Sequence, residues 1–471
     1  MRFIIAVLLI VTGLAVSAQP PSKQSSQERI ETNISPLLQI TGHPVPTFSI
    51  EERLKQLGIP GVSIAVAHQG KIIWQAGYGM ADVSQNRKMD TNTLLLAGSI
   101  SKPVAALRAL QLVEDGKIDL DGNINDYLTS WQVPENEFTK TEKVTLRRIL
   151  NHTAGLTVWG FPGYDKGDDI PSAVDVLNGK GNTDEVVVYK TPGESWQYSG
   201  GGYTIMQIAV ADVTKQAFAA SMQQQVLNPL AMQNSTYENP LPQKYHSIAA
   251  TGYRENGDEV EGKWPIYPEM AAAGLWTTPS QLVQYGIEIQ RIHSSKKDGI
   301  LSAKMVEVML TPGENNHGLG PNVNEHTFGH GGADEGFRAR LITWKDSSYA
   351  VVVMVNSDNG AIVREILLAI ANEYELPDIE PIVRTLVKPE KAVLARYVGT
   401  YSTPDDGEVQ ITLVDEGLSI YYEEYEYRFT ARPQSDTEFF HNRNGSIATF
   451  SLNDEKQPVM TWRNIDATKK D

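Results

Sequence analysis

The chain has 471 residues, 41 Lys and Arg against 57 Asp and Glu, a formal net charge of −16 and no cysteine. Without cysteine there are no disulfides, thiol nucleophiles or cysteine metal sites, so stability rests on core burial, for which this length is ample. The acidic balance argues against nucleic acid or an anionic membrane as the main partner.

Arg2, the apolar run from Phe3 to Ile10 and the small residues Val16-Ser17-Ala18 have the order of a secretory signal peptide, assigned to residues 1–18. The run is too short to span a bilayer. The expected protein is therefore exported, periplasmic or extracellular, with no stable membrane insertion after signal cleavage. Residues 19–45 are rich in Ser, Gln and Pro without a period and read as a flexible leader.

From Gly61 the pattern is a hairpin: Val62 to Ala67, a turn at Gln69-Gly70, then Lys71 to Gln75. Ser99-Ile100-Ser101-Lys102 follows, leading into helix formers from Val104 to Val113 that stop at Asp115-Gly116. Pro103 fits only a first turn, so the helix is expected to begin close to Ser99, with the hydroxyl near the positive end of the helix dipole. Positions i and i+3 share a helix face, which sets the Lys102 amine beside Ser99. A serine is a weak nucleophile until a neighbouring base takes its proton, and a desolvated lysine is such a base. The spacing alone decides little, because Ser294-Ser295-Lys296-Lys297 repeats it in what reads as a solvated turn.

Helical spacing recurs at Thr145–Leu150 and Tyr203–Val213, and the stretch from Val158 to Glu194, rich in Gly, Pro and Asp, reads as a loop wall. Strands return at Phe337–Trp344 and Tyr349–Asn356 around a Lys345–Ser348 turn, and a helix is expected over Ile362–Tyr374. Strands at both ends and helices between predict an α+β fold: an antiparallel sheet flanked by helices plus an all-helical lobe, with the site in the cleft between them. Its extent is taken as 46–382, with a linker at 383–393. From 394 to 471 short β-like runs (Tyr397–Tyr401, Val409–Leu413, Leu418–Tyr422, Ala448–Leu452) predict a small all-β barrel.

Two further segments carry chemistry. Pro192-Gly193-Glu194-Ser195-Trp196-Gln197-Tyr198-Ser199-Gly200-Gly201-Gly202-Tyr203 sets a phenol before three glycines. A phenol beside a cationic lysine can shuttle a proton to a leaving group. Gly329-His330-Gly331-Gly332-Ala333 stands at a strand entrance, where glycines let a substrate lie alongside and where an N–H joins that of Ser99 in an oxyanion hole.

With Pro60-Gly61-Val62, Gly77-Tyr78-Gly79, Leu150-Asn151-His152-Thr153-Ala154-Gly155-Leu156 and Ala273-Gly274-Leu275-Trp276-Thr277-Thr278 in this order, the chain resembles the serine β-lactamase and penicillin-recognising superfamily. The likeness covers roughly residues 45–380. It is nearest the class C β-lactamases and the D-alanyl-D-alanine carboxypeptidases, D-aminopeptidases and esterases that share their fold. The C-terminal segment is similar to the lipocalin-like domain of secreted bacterial serine hydrolases. The resemblance implies Ser99 as the acylated nucleophile, Lys102 as its activating partner, and Tyr198 as general acid/base. It puts His330-Gly331-Gly332 in the place of the family's Lys-Thr-Gly, which makes His330 a catalytic candidate and Gly200, Gly331 and Gly332 substrate-binding candidates. The Ala333 N–H then completes the oxyanion hole with Ser99, while Asn151 and His152 are scaffold.

Two departures stand out. The family's Tyr-x-Asn reads Tyr198-Ser199-Gly200, and His330 replaces the lysine of Lys-Thr-Gly, weakening the fixed charge that holds a substrate carboxylate. Both count against efficient penicillin hydrolysis.

The expected activity is hydrolysis of a small ester or amide, including D-amino-acid peptides, through a Ser99 acyl-enzyme. The substrate is a small molecule or short peptide, and no cofactor or metal is called for. The alternatives are a β-lactamase or D-alanyl-D-alanine carboxypeptidase, a catalytically weak penicillin-recognising protein, and a metal-dependent hydrolase built on His326 and His330. A conventional α/β-hydrolase is disfavoured because no Gly-x-Ser-x-Gly elbow occurs.

Overall fold

The structure, a computed structural model, describes residues 24–404, 407–424 and 426–470. The signal-peptide assignment at 1–18 lies outside them. A seven-stranded antiparallel sheet forms the centre of the larger, N-terminal region. From one edge to the other its strands are Arg87–Lys88, Lys71–Asp82, Gly61–His68, Tyr349–Val355, Phe337–Trp344, Thr327–Asp334 and Asn322–Val323. The first hairpin closes through Gln69 (φ 50°) and Gly70 (φ 77°), with His68 opposite Lys71. Two successive positive φ angles match the right-handed twist of the flanking strands.

Alternation along the strands sorts the core into two layers. Val62, Ile64 and Val66 face the helices Ser26–Thr32, Ile50–Leu57 and Ala361–Tyr374, meeting Ile30, Leu54, Ile362, Ile366 and Ile370. Ala65 and Ala67, on the other face, meet Leu282, Val283 and Ile289 of the helix Pro279–Ser295. That layer continues without a break into the helical lobe, where Leu107 and Leu110 of Ser101–Glu114 pack among the same cluster as Ile205 and Met206 of Gly200–Thr214. Apolar residues at Ile362, Ile366 and Ile370 recur every fourth position, so one stripe of the last helix is buried.

The flexible leader expected at 19–45 needs correcting over its described part. A capped helix forms at Ser26–Thr32, and Leu38–Ile40 pairs in parallel with Ile382–Arg384, inside the expected linker. Ile30 and Ile34 are fully buried, and those two anchors outweigh the polar composition around them. The loop wall also contains a short helix, Ala173–Leu177.

The C-terminal part is a closed barrel of eight antiparallel strands, Gly399–Ser402 through Ile465–Lys469, sealed by the pairing of its first and last strands. Four of these strands, Tyr427–Pro433, Glu438–His441, Pro458–Trp462 and Ile465–Lys469, were not among the runs singled out from the sequence. Tyr401, Ile420, Phe439, Phe450 and Met460 fill the interior, so the barrel centre is a packed core. It rests on the strand Ile382–Arg384, where Arg384 Nε donates to the Gly445 carbonyl at 2.9 Å.

Ile366 is fully buried between helix and sheet. Ile366→Ala is expected to lower unfolding stability by about 2–5 kcal/mol through lost burial plus a cavity, read as a drop in urea midpoint at constant slope.

Candidate active site

The turn that carries Ser99 is built by close backbone approach. Residues Gly98–Ile100 form one 3-10 turn and the α-helix proper starts at Ser101, two residues later than Ser99. Gly98 has φ +53°, and a Cβ there would sit 2.4 Å from the Ala333 nitrogen. A Cβ on Gly332 would meet the Ala97 carbonyl oxygen at 1.9 Å. The turn carrying Ser99 is thus pressed against the end of the Thr327–Asp334 strand, and the Ala333 amide lies beside it. Pro103 is the third helical residue, where its missing N–H costs nothing. Ser101 is structural: its hydroxyl accepts from the Leu275 amide at 2.9 Å, and its carbonyl accepts from the Tyr237 hydroxyl at 2.7 Å.

Lys102 is 2% exposed. Its Nζ donates to Ser99 Oγ at 3.0 Å and to the Ala272 carbonyl at 2.8 Å, the latter on the short helix Met270–Ala273. It also stands 5.0 Å from the Tyr198 ring centre and 5.7 Å from that of Tyr203. By contrast Lys296, in the surface repeat of the motif, ends a helix in an exposed left-handed conformation.

Tyr198 is held from behind. Ser199 caps the helix Gly200–Thr214 by accepting from the Gly202 amide at 3.0 Å, and its hydroxyl donates to the Thr157 carbonyl at 2.7 Å. The Ser199 amide donates to His152 Nδ1 at 3.1 Å, and the His152 ring lies 4.2 Å from that of Tyr198. His152 is therefore scaffold, as expected, and burial holds it well below the usual histidine range. Where the family carries an asparagine amide, this chain turns a serine inward to cap a helix and places a glycine next.

Ser99, Tyr198, His330, Gly331, Gly332 and Ala333 line one cleft of about 510 Å³, with Lys102 beneath it. Gly200 is a correction. It is buried at the helix start with its amide donating to the Trp159 carbonyl at 3.1 Å, away from the cleft lining. His330 lies in the cleft, but its Nδ1 is 2.6 Å from the Gly331 carbonyl, which fixes the proton there and leaves Nε2 as an acceptor. Burial holds it well below the usual histidine range, so it is a neutral ring rather than a substitute for the family's cation. The metal reading fails on geometry. His330 lies on the strand Thr327–Asp334 and His326 in the bend before it, and among the described residues no group of three or more His, Asp or Glu side chains is placed to hold a metal ion.

Sequence reasoning missed His317, Trp159, Trp196, Asn322, Arg340 and Arg364, all in the lining. His317 packs at 4.6 Å from His152 and 5.8 Å from His330, takes a hydrogen bond between Asn322 Nδ2 and its Nδ1 at 2.9 Å, and is lowered to about 4 by burial and then by Lys102. Trp159 is 70% exposed at the mouth, 5.5 Å from Tyr198. The alternation of Arg338 and Arg340 with Ala339 and Leu341 was the one signal available for a charged strand face.

The structure thus sets the half-buried Ser99 hydroxyl on the buried Lys102 amine beside the Tyr198 phenol, with the Ala333 end of the strand pressed against the same turn. Residues 49–373 match the family described as Beta-lactamase, and the chain belongs to that family. It is similar to Protein flp of Staphylococcus aureus (strain MW2), 25% identical over 328 residues, which are 65% of this chain and 61% of that protein. The chain thus spans about three-fifths of the length of such curated relatives. Among solved structures it resembles the octameric penicillin-binding protein homologue from Pyrococcus abyssi, with TM-score 0.61, 19% identity, and coverage of 89% of this chain and 98% of that one. It also resembles the D-amino acid amidase from Ochrobactrum anthropi SV3, with TM-score 0.53, 21% identity, and coverage of 69% and 96%.

Two outcomes test the site. Gly332→Ala is expected to push the strand Thr327–Asp334 off the Ser99 turn and, with Ser99 and Ala333 as the expected oxyanion donors, to lower kcat by about 100-fold or more, with an unchanged far-ultraviolet spectrum. Behind the site, Glu269 is fully buried with both carboxylate oxygens unpartnered, and burial raises it to about 8. The folded protein keeps that proton between roughly pH 4.5 and 8 while the unfolded chain releases it, so this group's contribution falls as pH rises through that window. Glu269→Gln is expected to flatten the alkaline loss of stability, measured as urea midpoints at pH 5 and 8.5.

Proposed function

We propose that the chain is an exported hydrolase of small esters and amides, D-amino-acid amides and short peptides included. Ser99 Oγ attacks the substrate carbonyl carbon as its proton passes to Lys102 Nζ, and the negative oxygen is received by the Ser99 and Ala333 amides. Tyr198 then gives a proton to the departing alcohol or amine, and the bond to the leaving group breaks. Water then gives a proton to Tyr198 and attacks the acyl carbon, the bond from that carbon to Ser99 Oγ breaks, and Lys102 returns its proton to Ser99 as the acid leaves.

The observation that carries this reading is the 3.0 Å contact between a buried amine and the Ser99 hydroxyl at the floor of an open cleft. The substrate class is supported by the likeness to an amidase of D-amino acids and by a neutral His330 where β-lactam hydrolases of the family carry a lysine. Export is supported by the order of charge, apolar run and small residues at the N-terminus.

The test is intact-mass detection of an acyl adduct, with parallel rates on 4-nitrophenyl acetate, a D-alanyl anilide and nitrocefin. The wild type should show a burst and a covalent acetyl mass shift with the ester, and Ser99→Ala should show neither. Tyr198→Phe should lower turnover by about 100- to 10,000-fold while leaving the first adduct detectable. An alanine variant that retains wild-type hydrolysis would refute the assignment.

A further inference from the structure

The glycine run that follows Tyr198 contributes no group to the acyl transfer, and the backbone packed against it shows what it serves. Three successive carbonyls of the neighbouring loop are tied to the start of the helix Gly200–Thr214. Ser199 Oγ donates to the Thr157 carbonyl at 2.7 Å, and the Gly201 and Gly200 amides donate to the Val158 and Trp159 carbonyls at 3.1 Å each. The missing side chains make this approach possible. A Cβ on Gly201 would lie 2.7 Å from Val186 and 3.2 Å from the Thr157 oxygen, and one on Gly200 would lie 2.9 Å from the Phe161 ring and 3.2 Å from the Trp159 oxygen. Thr157 is held from its other side as well, its amide donating to the Val187 carbonyl at 2.9 Å and its hydroxyl accepting from the Val187 amide at 2.9 Å.

Inside this fixed loop Val158 has φ +59°, a left-handed conformation that a β-branched residue resists. The side chain it delivers is Trp159, which at 70% exposure is the most exposed large apolar group among the described residues. The fold thus accepts backbone strain at Val158 to hold an indole in water at the mouth of the Ser99 cleft, where burial would favour drawing it in. The indole centre stands 5.5 Å from that of the Tyr198 ring. Trp196 lines the same cleft 6.3 Å from Tyr198, its amide donating to Glu314 Oε2 at 2.6 Å. A rigid aromatic face beside the reacting groups is completed by a flat apolar group laid against it, which adds ring stacking to the area removed from water.

We propose that Trp159 forms an aromatic subsite that stacks on a phenyl-like group of the substrate while Ser99 attacks its ester or amide bond. The proposal rests on the hydrolase reading and adds the chemical class of substrate: one that carries an aromatic ring.

The test compares ethyl acetate, benzyl acetate and ethyl phenylacetate, which place a phenyl ring on neither side, the alcohol side or the acid side of the bond, each rate being divided by that of the ester's own alkaline hydrolysis. The wild type should favour one of the aromatic esters over ethyl acetate by about 10-fold or more in kcat/KM. Trp159→Ala, which removes an exposed side chain and opens no core cavity, should bring that ratio close to one, and Trp159→Phe, which keeps a flat ring, should retain most of it. No preference for either aromatic ester, or a ratio unchanged in Trp159→Ala whether or not all three rates fall together, overturns the subsite. Calorimetric titration of N-benzylphenylacetamide, which has a ring on each side of its amide, into Ser99→Ala protein reads the subsite without turnover. Binding weakened about 10-fold by adding Trp159→Ala supports it, and binding that is absent or unaffected overturns it. Binding that depends on Trp159 without turnover of any ester would sink the hydrolase reading and leave the subsite standing.

Discussion

The hydrogen bonds of one buried amine organise this active site. Lys102 reaches the Ala272 carbonyl on one side and the Ser99 hydroxyl on the other, joining the nucleophile turn to the short Met270–Ala273 helix. That helix is itself fixed from the helical lobe, because Gln207 accepts from the Ala271 amide at 2.9 Å and donates to the Pro268 carbonyl at 3.0 Å. Sheet, lobe and crossover segment therefore meet at a single ammonium-sized space. A shorter or uncharged side chain there would leave a buried carbonyl and a buried hydroxyl both short of a partner, which costs more than a surface contact gains.

The histidines around that amine follow from the same constraint. His152, His317 and His330 crowd one side of Tyr198, and each is pushed down chiefly by burial. Their neutrality keeps positive charge from accumulating around the Ser99–Lys102 pair. It also changes what the His330-Gly331-Gly332 segment supplies: a shaped, acceptor-bearing wall and a close-fitting strand, with the fixed charge displaced one strand further, to the guanidinium opposite Gly331.

Much of this was legible in the residues because the determinants are local. A run such as Val62 to Ala67 can satisfy burial on both faces only inside a sheet, and Ser99 and Lys102 share a face at any helical or near-helical pitch. The glycines at 331 and 332 correctly marked close approach, since Gly332 abuts the Ala97 carbonyl. The failures were non-local. Nothing near Ile30 or Leu38 in sequence reveals that their partners lie more than 300 residues away, so polar composition read as flexibility. Gly200 looked like a substrate contact because it fills a family asparagine's position, but the same glycine run starts a helix and turns inward. His317 follows a loop of Asn, Glu and Gly with no periodic signal, and only the assembled cleft gives it neighbours.

The strand that closes the cleft shows how one pattern can serve two ends. The parity of Phe337–Trp344 places Ile342 and Trp344 in the core, and parity alone then obliges Arg340 and Arg338 to point along the same face. Shifting the register by one residue would bury both guanidiniums among the residues that now meet Ala339 and Leu341, and turn Ile342 and Trp344 into the other core layer. Hydrophobic burial at one end of the strand therefore holds the cations at the other end in place. Arg338 is held further by its ion pair with Asp358 at 2.9 Å.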